Sequence, residues 1–256
     1  MPQNQFKRAL ASGKTQFGLW STLSNSFAVE VIAGAGYDWL LLDTEHSPGD
    51  PLTVLPQLQT IAGYTSVSAL VRPAANDAML IKRFLDIGAQ TLLIPYVQTR
   101  EEAEYAVRAT RYPPDGIRGV SALTRATRFG REKDYFATCA DDIGVIVQIE
   151  TQEALNNLDA IAKVDGIDAL FIGPADLAAS LGYGANQGHA DMRAVVIDTI
   201  KRIKALGKPA GLLTGDTALQ RSAMNAGIDF IAIGVDAGLL ARASENLLSS
   251  LQSSPA

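Results

Sequence analysis

The sequence predicts a (β/α)₈ barrel, and three observations carry that prediction. Eight short apolar runs are spaced along 256 residues, amphipathic stretches follow them, and a glycine repeatedly stands just before the next run. The glycine pattern is plainest in "AGAGYDWLLLD", "LDIGAQTLLIP", "KVDGIDALFIG" and "NAGIDFIAIG", where Gly36, Gly88, Gly166 and Gly227 precede strands. Glycine takes the left-handed conformation that ends a helix, and a short loop then feeds the strand. The runs lack alternation, as parallel strands covered on both faces do.

In chain order the predicted strands are Phe17–Trp20, Trp39–Asp43, Val67–Arg72, Thr91–Pro95, Val145–Glu150, Ala169–Gly173, Ala210–Leu213 and Phe230–Gly234. Helical patterns follow at 26–35, 51–62, 76–87, 99–110, 152–162, 190–206, 217–226 and 237–251. Asn76 and Asp77 are short polar side chains suited to cap the third of these helices. An open doubly wound sheet is the alternative, but the strand count is the one a closed barrel needs. Residues 112–142 break the rhythm, being too long for an ordinary loop. There Pro113, Pro114 and Gly116 predict a rigid turn, followed by room for short helices in a lid or subunit contact.

The chain is 47% hydrophobic, enough for one domain over 1–256, and no linker-like segment divides it. Its net charge is −5 with signs interleaved, and no basic stripe marks a nucleic-acid or membrane surface. No segment has the roughly 18 uncharged apolar residues of a membrane span, and the first twenty residues do not read as a signal peptide. Cys139 is the single cysteine, which rules out an intramolecular disulfide. A cytoplasmic protein is expected.

In a barrel, chemistry sits at the carboxyl ends of the strands. Asp43, Glu45 and His46 follow strand two, Arg72 ends strand three, Gln148 and Glu150 end strand five, and Asp176 follows strand six. Gln148 and Glu150 are two apart and face the same side. Glu150 and Asp176 fall on neighbouring strand ends, where two ionised carboxylates need a cation between them. Oxygen ligands with sites left for water or substrate suit Mg²⁺ or Mn²⁺. The alternative for each acid alone is that it caps the next helix.

Arg72 is a permanent cation with a planar donor fork, suited to a carboxylate or a developing enolate oxygen; its structural alternative is an ion pair with Asp86. His46 suits acid–base work, with Asp43 or Asp86 to orient its ring, and its alternative is an exposed loop side chain. Trp20 reads equally as a wall of the site or as core, His189 as a helix start, and Cys139 as packing. None of the eight lysines ends a predicted strand at the mouth, so a Schiff-base mechanism has no good candidate. "GAGYDW" and "GYGANQG" are only weak nucleotide-binding patterns, lacking the strand–glycine–helix order.

The set "LLLDTEH", "VRP", "LLIPYVQ", "RYPPDGIRG", "VQIET" and "FIGPADLAASLG" resembles the HpcH/HpaI family of metal-dependent aldolases, nearest the 4-hydroxy-2-oxoheptanedioate aldolase group. The resemblance runs from "GLW" at 18–20 to "GVDAGLLARA" at 234–243. It implies that Glu150 and Asp176 bind a divalent metal (Mg²⁺ or Mn²⁺, with Co²⁺ also compatible) and that Gln148 holds a pyruvate unit. It further implies that the amides of Ala175 and Asp176 receive the carboxylate, that Arg72 stabilises the enolate oxygen, and that His46 accepts a proton with Asp86 adjusting its basicity. The implied reaction is reversible cleavage of a 4-hydroxy-2-oxoacid to an aldehyde and pyruvate, or hydroxypyruvate. The implied assembly is a homohexamer exchanging its last helix, for which "AGLLARASENLLSSL" offers an apolar stripe. The rival readings are a barrel enzyme using phosphoenolpyruvate or a coenzyme A thioester, a non-catalytic ketoacid-binding barrel, and a lysine-dependent aldolase.

Overall fold

In the computed structural model, which describes residues 3–184 and 188–252, eight parallel strands close into a barrel in sequence order. They are β1 (Gln16–Ser21), β2 (Trp39–Asp43), β3 (Ser68–Arg72), β4 (Thr91–Ile94), β5 (Gly144–Ile149), β6 (Ala169–Ile172), β7 (Ala210–Leu213) and β8 (Phe230–Val235). Among the described residues twelve helices accompany them: α1 (Gln5–Leu10), α2 (Ser26–Ala33), α3 (Pro51–Ile61), α4 (Ala78–Asp86), α5 (Arg100–Thr110), α6 (Tyr135–Asp142), α7 (Gln152–Asn156), α8 (Leu158–Ala162), α9 (Pro174–Ser180), α10 (Ala190–Ala205), α11 (Thr217–Asn225) and α12 (Asp236–Gln252). The open-sheet alternative is excluded, because β1 pairs with both β2 and β8.

Two cores follow from the two faces of each strand. Outward residues such as Leu40, Leu42, Val71, Leu92, Val147 and Leu170 pack under the helices. Inward residues such as Trp39, Leu41, Leu70, Leu93, Ile146 and Phe171 fill the barrel. The inward stripe continues by twos into polar residues: Trp39 and Leu41 lead to Asp43, Leu70 to Arg72, and Ile146 to Gln148. The same periodicity that packs the interior therefore delivers the polar side chains to the carboxyl-end mouth.

The floor is closed by α1, which no sequence pattern had marked. Phe6 meets Trp39 and Phe230 edge-on, with ring centroids 6.0 and 5.3 Å away. Gly18 makes room for the plug, since a Cβ there would stand 2.2 Å from the Trp39 ring. The predicted 152–162 helix is two short helices, α7 and α8, meeting at Asn157. The α4 cap is Asp77, whose carboxylate accepts from Met79 N and Leu80 N, whereas Asn76 donates its amide to Glu102 O instead. His189 caps α10 by accepting from Asp191 N. The segment 112–142 holds turns and one helix, α6; Gly116 is required in it because a Cβ would lie 2.3 Å from the Arg108 and Arg111 carbonyls. Of "GYGANQG", residues 185–187 lie outside the described residues. Among the described residues no helix is long and apolar enough to cross a membrane.

At the β1–β8 seam Asp236 is buried and accepts from Ser21 Oγ (2.9 Å), Thr22 N (2.8 Å), Thr22 Oγ1 (2.9 Å), Leu23 N (3.2 Å) and Ala237 N (2.7 Å). Asp236→Ala leaves these donors unmatched, so a loss of roughly 2–4 kcal/mol is expected, read as a lowered denaturant midpoint.

Candidate active site

Arg72 is the centre of the mouth. It is 5% exposed, and its Nε and Nη2 donate to Asp43 Oδ1 and Oδ2, both at 2.7 Å. Its Nη1 stands 2.7 Å from Glu45 Oε2, and its guanidinium lies 5.0 Å from the centroid of the Trp20 ring. Register explains the main pair, for Asp43 and Arg72 are directly opposed partners of β2 and β3. This corrects the expected Arg72–Asp86 alternative. Trp20 serves as both wall and core, because its ring also packs on Phe171 at 5.4 Å.

Burial opposes charge on Asp43, yet the hydrogen bonds and charge of Arg72 hold its carboxyl below the usual range. Burial pushes Glu45 up against the pull of Arg72 and His46, with Asp43 and Asp176 adding repulsion. In sequence Glu45 carries no assigned role, and its adjacency to Asp43 across a turn is the available signal.

Glu150, just past β5, is 2% exposed. Its Oε1 accepts from Tyr96 N at 2.7 Å, and its Oε2 accepts from Gln148 Nε2. Burial pushes the Glu150 carboxyl up to about 7; the Tyr96 N–H opposes this, while Glu45 and Asp176 reinforce it. Tyr96 holds φ at 55°, a left-handed backbone that turns its N–H inward. In sequence its one mark is its place in "LLIPYVQ".

Asp176 stands in the first turn of α9, where Gly173 is the N-cap and supplies no side chain to the free amides. Pro174 has no N–H, so Ala175 and Asp176 carry the exposed donors at that helix start. Gly173 also lies against the buried pair: a Cβ would be 2.6 Å from Glu150 Oε2 and 2.8 Å from Gln148 Nε2. Gly173→Ala is therefore expected to weaken divalent-cation affinity by about tenfold or more with the barrel intact, checked by calorimetry beside circular dichroism.

The mouth thus gathers Asp43, Glu45, Arg72, Gln148, Glu150 and Asp176, and the Asp176 charge bears on both Glu45 and Glu150. His46 sits beside them on the β2–α3 turn with an exposed side chain, and Asp43 is committed to Arg72 rather than to the imidazole. Asp86 is not brought to this mouth. It ends α4 just before β4, at the amino end of the barrel, and its Oδ1 accepts from Arg118 Nη2 at 2.8 Å. The expected Asp86–His46 contact is corrected within one chain, because a helix that starts after β3 ends at the opposite face.

The donor set fits a divalent cation. The Asp176 charge raises the Glu150 carboxyl by repulsion, Gln148 Oε1 is buried without a partner, and Gly173 leaves room beside Glu150 and Gln148. Among the described residues no three histidine, cysteine or acidic side chains form a closed cage. A cation held by this pair would keep positions for water and substrate.

Fold and site together define a (β/α)₈ barrel enzyme with a carboxylate–arginine centre at its carboxyl-end mouth. The chain belongs to the HpcH/HpaI aldolase/citrate lyase family, whose pattern matches residues 16–243. A pyruvate aldolase from Rhizobium etli is 59% identical over 247 residues, covering 96% of this chain and 97% of the relative. A 4-hydroxy-2-oxo-heptane-1,7-dioate aldolase from Klebsiella pneumoniae is 53% identical over 245 residues, covering 95% and 92%. A crystal structure of a family protein from Burkholderia cenocepacia has a TM-score of 0.93 at 39% identity, covering 98% of this chain and 100% of that one.

Proposed function

We propose that this chain is a class II pyruvate aldolase that cleaves 4-hydroxy-2-oxoacids reversibly to an aldehyde and pyruvate, with hydroxypyruvate as a second donor. The carrying observation is the buried Arg72, forked onto Asp43 and set in one mouth with Glu150 and Asp176. The full-length likeness to named aldolases supports the same reaction.

Glu150 and Asp176 would hold Mg²⁺ or Mn²⁺, with Co²⁺ as a substitute; the bound ion supplies Lewis-acid polarisation of the 2-oxo group. Gln148 has a free buried Oε1 and an amide already turned to Glu150, which supports a role in orienting the oxoacid. The substrate carboxylate is received by the N–H groups of Ala175 and Asp176. His46, or a water that it controls, takes the C4 hydroxyl proton as the C3–C4 bond breaks. Negative charge then develops on the C2 oxygen, and Arg72 is already fixed by Asp43 and Glu45 to stabilise it without reorganising. The enolate takes a proton at C3 to give pyruvate. A cavity of about 580 Å³ beside Glu45, lined also by Tyr96, Asn76 and Tyr105, opens next to this centre.

A homohexamer is the assembly this reading carries. Leu239, Leu240, Leu247, Leu248 and Leu251 leave α12 with an exposed apolar stripe that a neighbouring subunit would cover. Asp86 serves His46 only across such a boundary, from the amino end of one barrel to the mouth of another. The single buried cysteine and the interleaved surface charge suit work in the cytoplasm on small molecules.

The test is proton exchange and cleavage together. Metal-loaded enzyme should exchange the pyruvate methyl protons with D₂O and release pyruvate from 4-hydroxy-2-oxoacids, and chelation should stop both. Binding of pyruvate without exchange would replace this reading with a ketoacid-binding barrel. Borohydride trapping of a pyruvate adduct would replace it with lysine chemistry.

A further inference from the structure

A second cavity, of about 670 Å³, lies at the opposite end of the barrel from Arg72. The amino ends of β3 and β4, the start of α1 and the turn at 124–131 enclose it. Among the described residues its lining holds three cations, Arg125, Arg128 and Arg131, and no aspartate or glutamate. We propose that this cavity binds a small multivalent oxyanion, with phosphate or polycarboxylate chemistry, on those three arginines.

Arg125 carries the inference furthest. It is half-buried, its Nη1 donates to the Ile87 carbonyl at 2.9 Å, and among the described residues no carboxylate stands in salt-bridge range. Burial pulls its basicity down, and among the described residues no neighbouring acid offsets that pull. A half-buried guanidinium without a counter-charge is costly, and an anion in the cavity lowers that cost. The backbone is shaped for this placement. Gly88 has φ of 96°, and a Cβ there would be 2.5 Å from Arg125 Nη1, so glycine lets the fork lie across the entry to β4.

The turn itself is held in an uncommon form. Arg128 and Phe129 have φ of 48° and 57°, and the buried Thr127 pins them. Its hydroxyl donates toward the Ala122 and Thr124 carbonyls and accepts from Gly130 N at 3.1 Å. Backbone strain of this kind persists where surrounding contacts over-determine it. The outcome is three arginines at three-residue spacing along one cavity wall. Glu132 is within electrostatic reach of Arg128 but does not line the cavity. Guanidinium forks match carboxylate and phosphate oxygens in pairs, and the volume suits an organic polyanion better than a monatomic ion.

The experiment is calorimetric titration of the metal-loaded enzyme with pyruvate saturating, so that the catalytic mouth is already filled. Inorganic phosphate is used in one arm and tricarballylate in the other. Saturable binding of either anion with Kd of about 1 mM or tighter is expected, and the arm that binds more tightly names the source chemistry. Arg125→Gln should weaken that binding by about tenfold or more, with anion-free cleavage activity unchanged within about twofold. Arg128→Gln, on the solvent side of the turn, should weaken it less and keeps the test available if the first variant fails to fold. Absence of saturation by either anion at about 20 mM, or unchanged binding in the well-folded variants, overturns the proposal.

Discussion

Arg72→Ala is expected to lower kcat by about 100- to 1,000-fold, the loss seen when one preorganised donor to a developing oxyanion is removed. KM for the oxoacid should change far less, since the proposed ground-state contacts, the helix-start amides and Gln148, are untouched. The substitution also strands Asp43, whose two oxygens are both taken up by the Arg72 fork at 2.7 Å. Without that partner only the Glu45 N–H and the Trp20 side chain still oppose burial, and the Asp43 carboxyl rises from its present lowered state. Asp43 now contributes stability at neutral pH that is lost as pH falls through its lowered value, so in the variant that contribution disappears and the acid limb of the stability profile moves upward. Arg72→Lys should not rescue kcat, for an ammonium restores charge but cannot span Asp43 and Glu45 together. Steady-state kinetics, methyl-proton exchange of pyruvate and thermal melts over pH read these effects separately. A variant retaining exchange within about fivefold of the parent would remove Arg72 from the enolate step.

The legibility of this site in the sequence has a physical boundary. Residues on the inward face of a strand were readable, because side chains alternate by two and a barrel gathers its strand ends. Thus Asp43, Arg72 and Gln148 are where alternation from Leu41, Leu70 and Ile146 puts them. Glu150 and Asp176 followed from adjacency of β5 and β6. Asp86 is misplaced because a motif supplies a residue without saying which end of the barrel its helix carries it to. Its position at the end of α4, before β4, is enough to send it to the other face. Tyr96 acts through its backbone N–H, so its side-chain identity carried no signal. The α1 plug was missed for a related reason. Phe6 and Leu10 form a single short turn of apolar spacing, and only the unfilled floor around Trp39 and Phe230 gives that turn a meaning.

Stripping the divalent cation is expected to abolish cleavage and to leave a pH-dependent scar at Glu150. In the metal-free protein burial and the nearby Glu45 and Asp176 raise the Glu150 carboxyl to about 7. An unfolded chain releases that proton near pH 4.5, so between about 4.5 and 7 the folded metal-free state holds a proton the unfolded state has lost. Its stability therefore falls as pH rises through that window, by roughly 3 kcal/mol in all. A cation between Glu150 and Asp176 reverses the preference by stabilising the ionised carboxylate. The melting-temperature gap between loaded and stripped protein should widen from pH 5 to 7.5. Apparent metal Kd should fall about tenfold per pH unit below 7 and level off above it, as one displaced proton requires. Asp176→Ala should lower activity by about 1,000-fold or more and remove the loaded-versus-stripped gap, since one carboxylate alone holds a hard divalent ion poorly. It should also let the Glu150 carboxyl fall, because one of its two repelling neighbours is gone. A gap independent of pH, or metal affinity retained in Asp176→Ala, would move the cation away from this pair and with it the site of Lewis-acid chemistry.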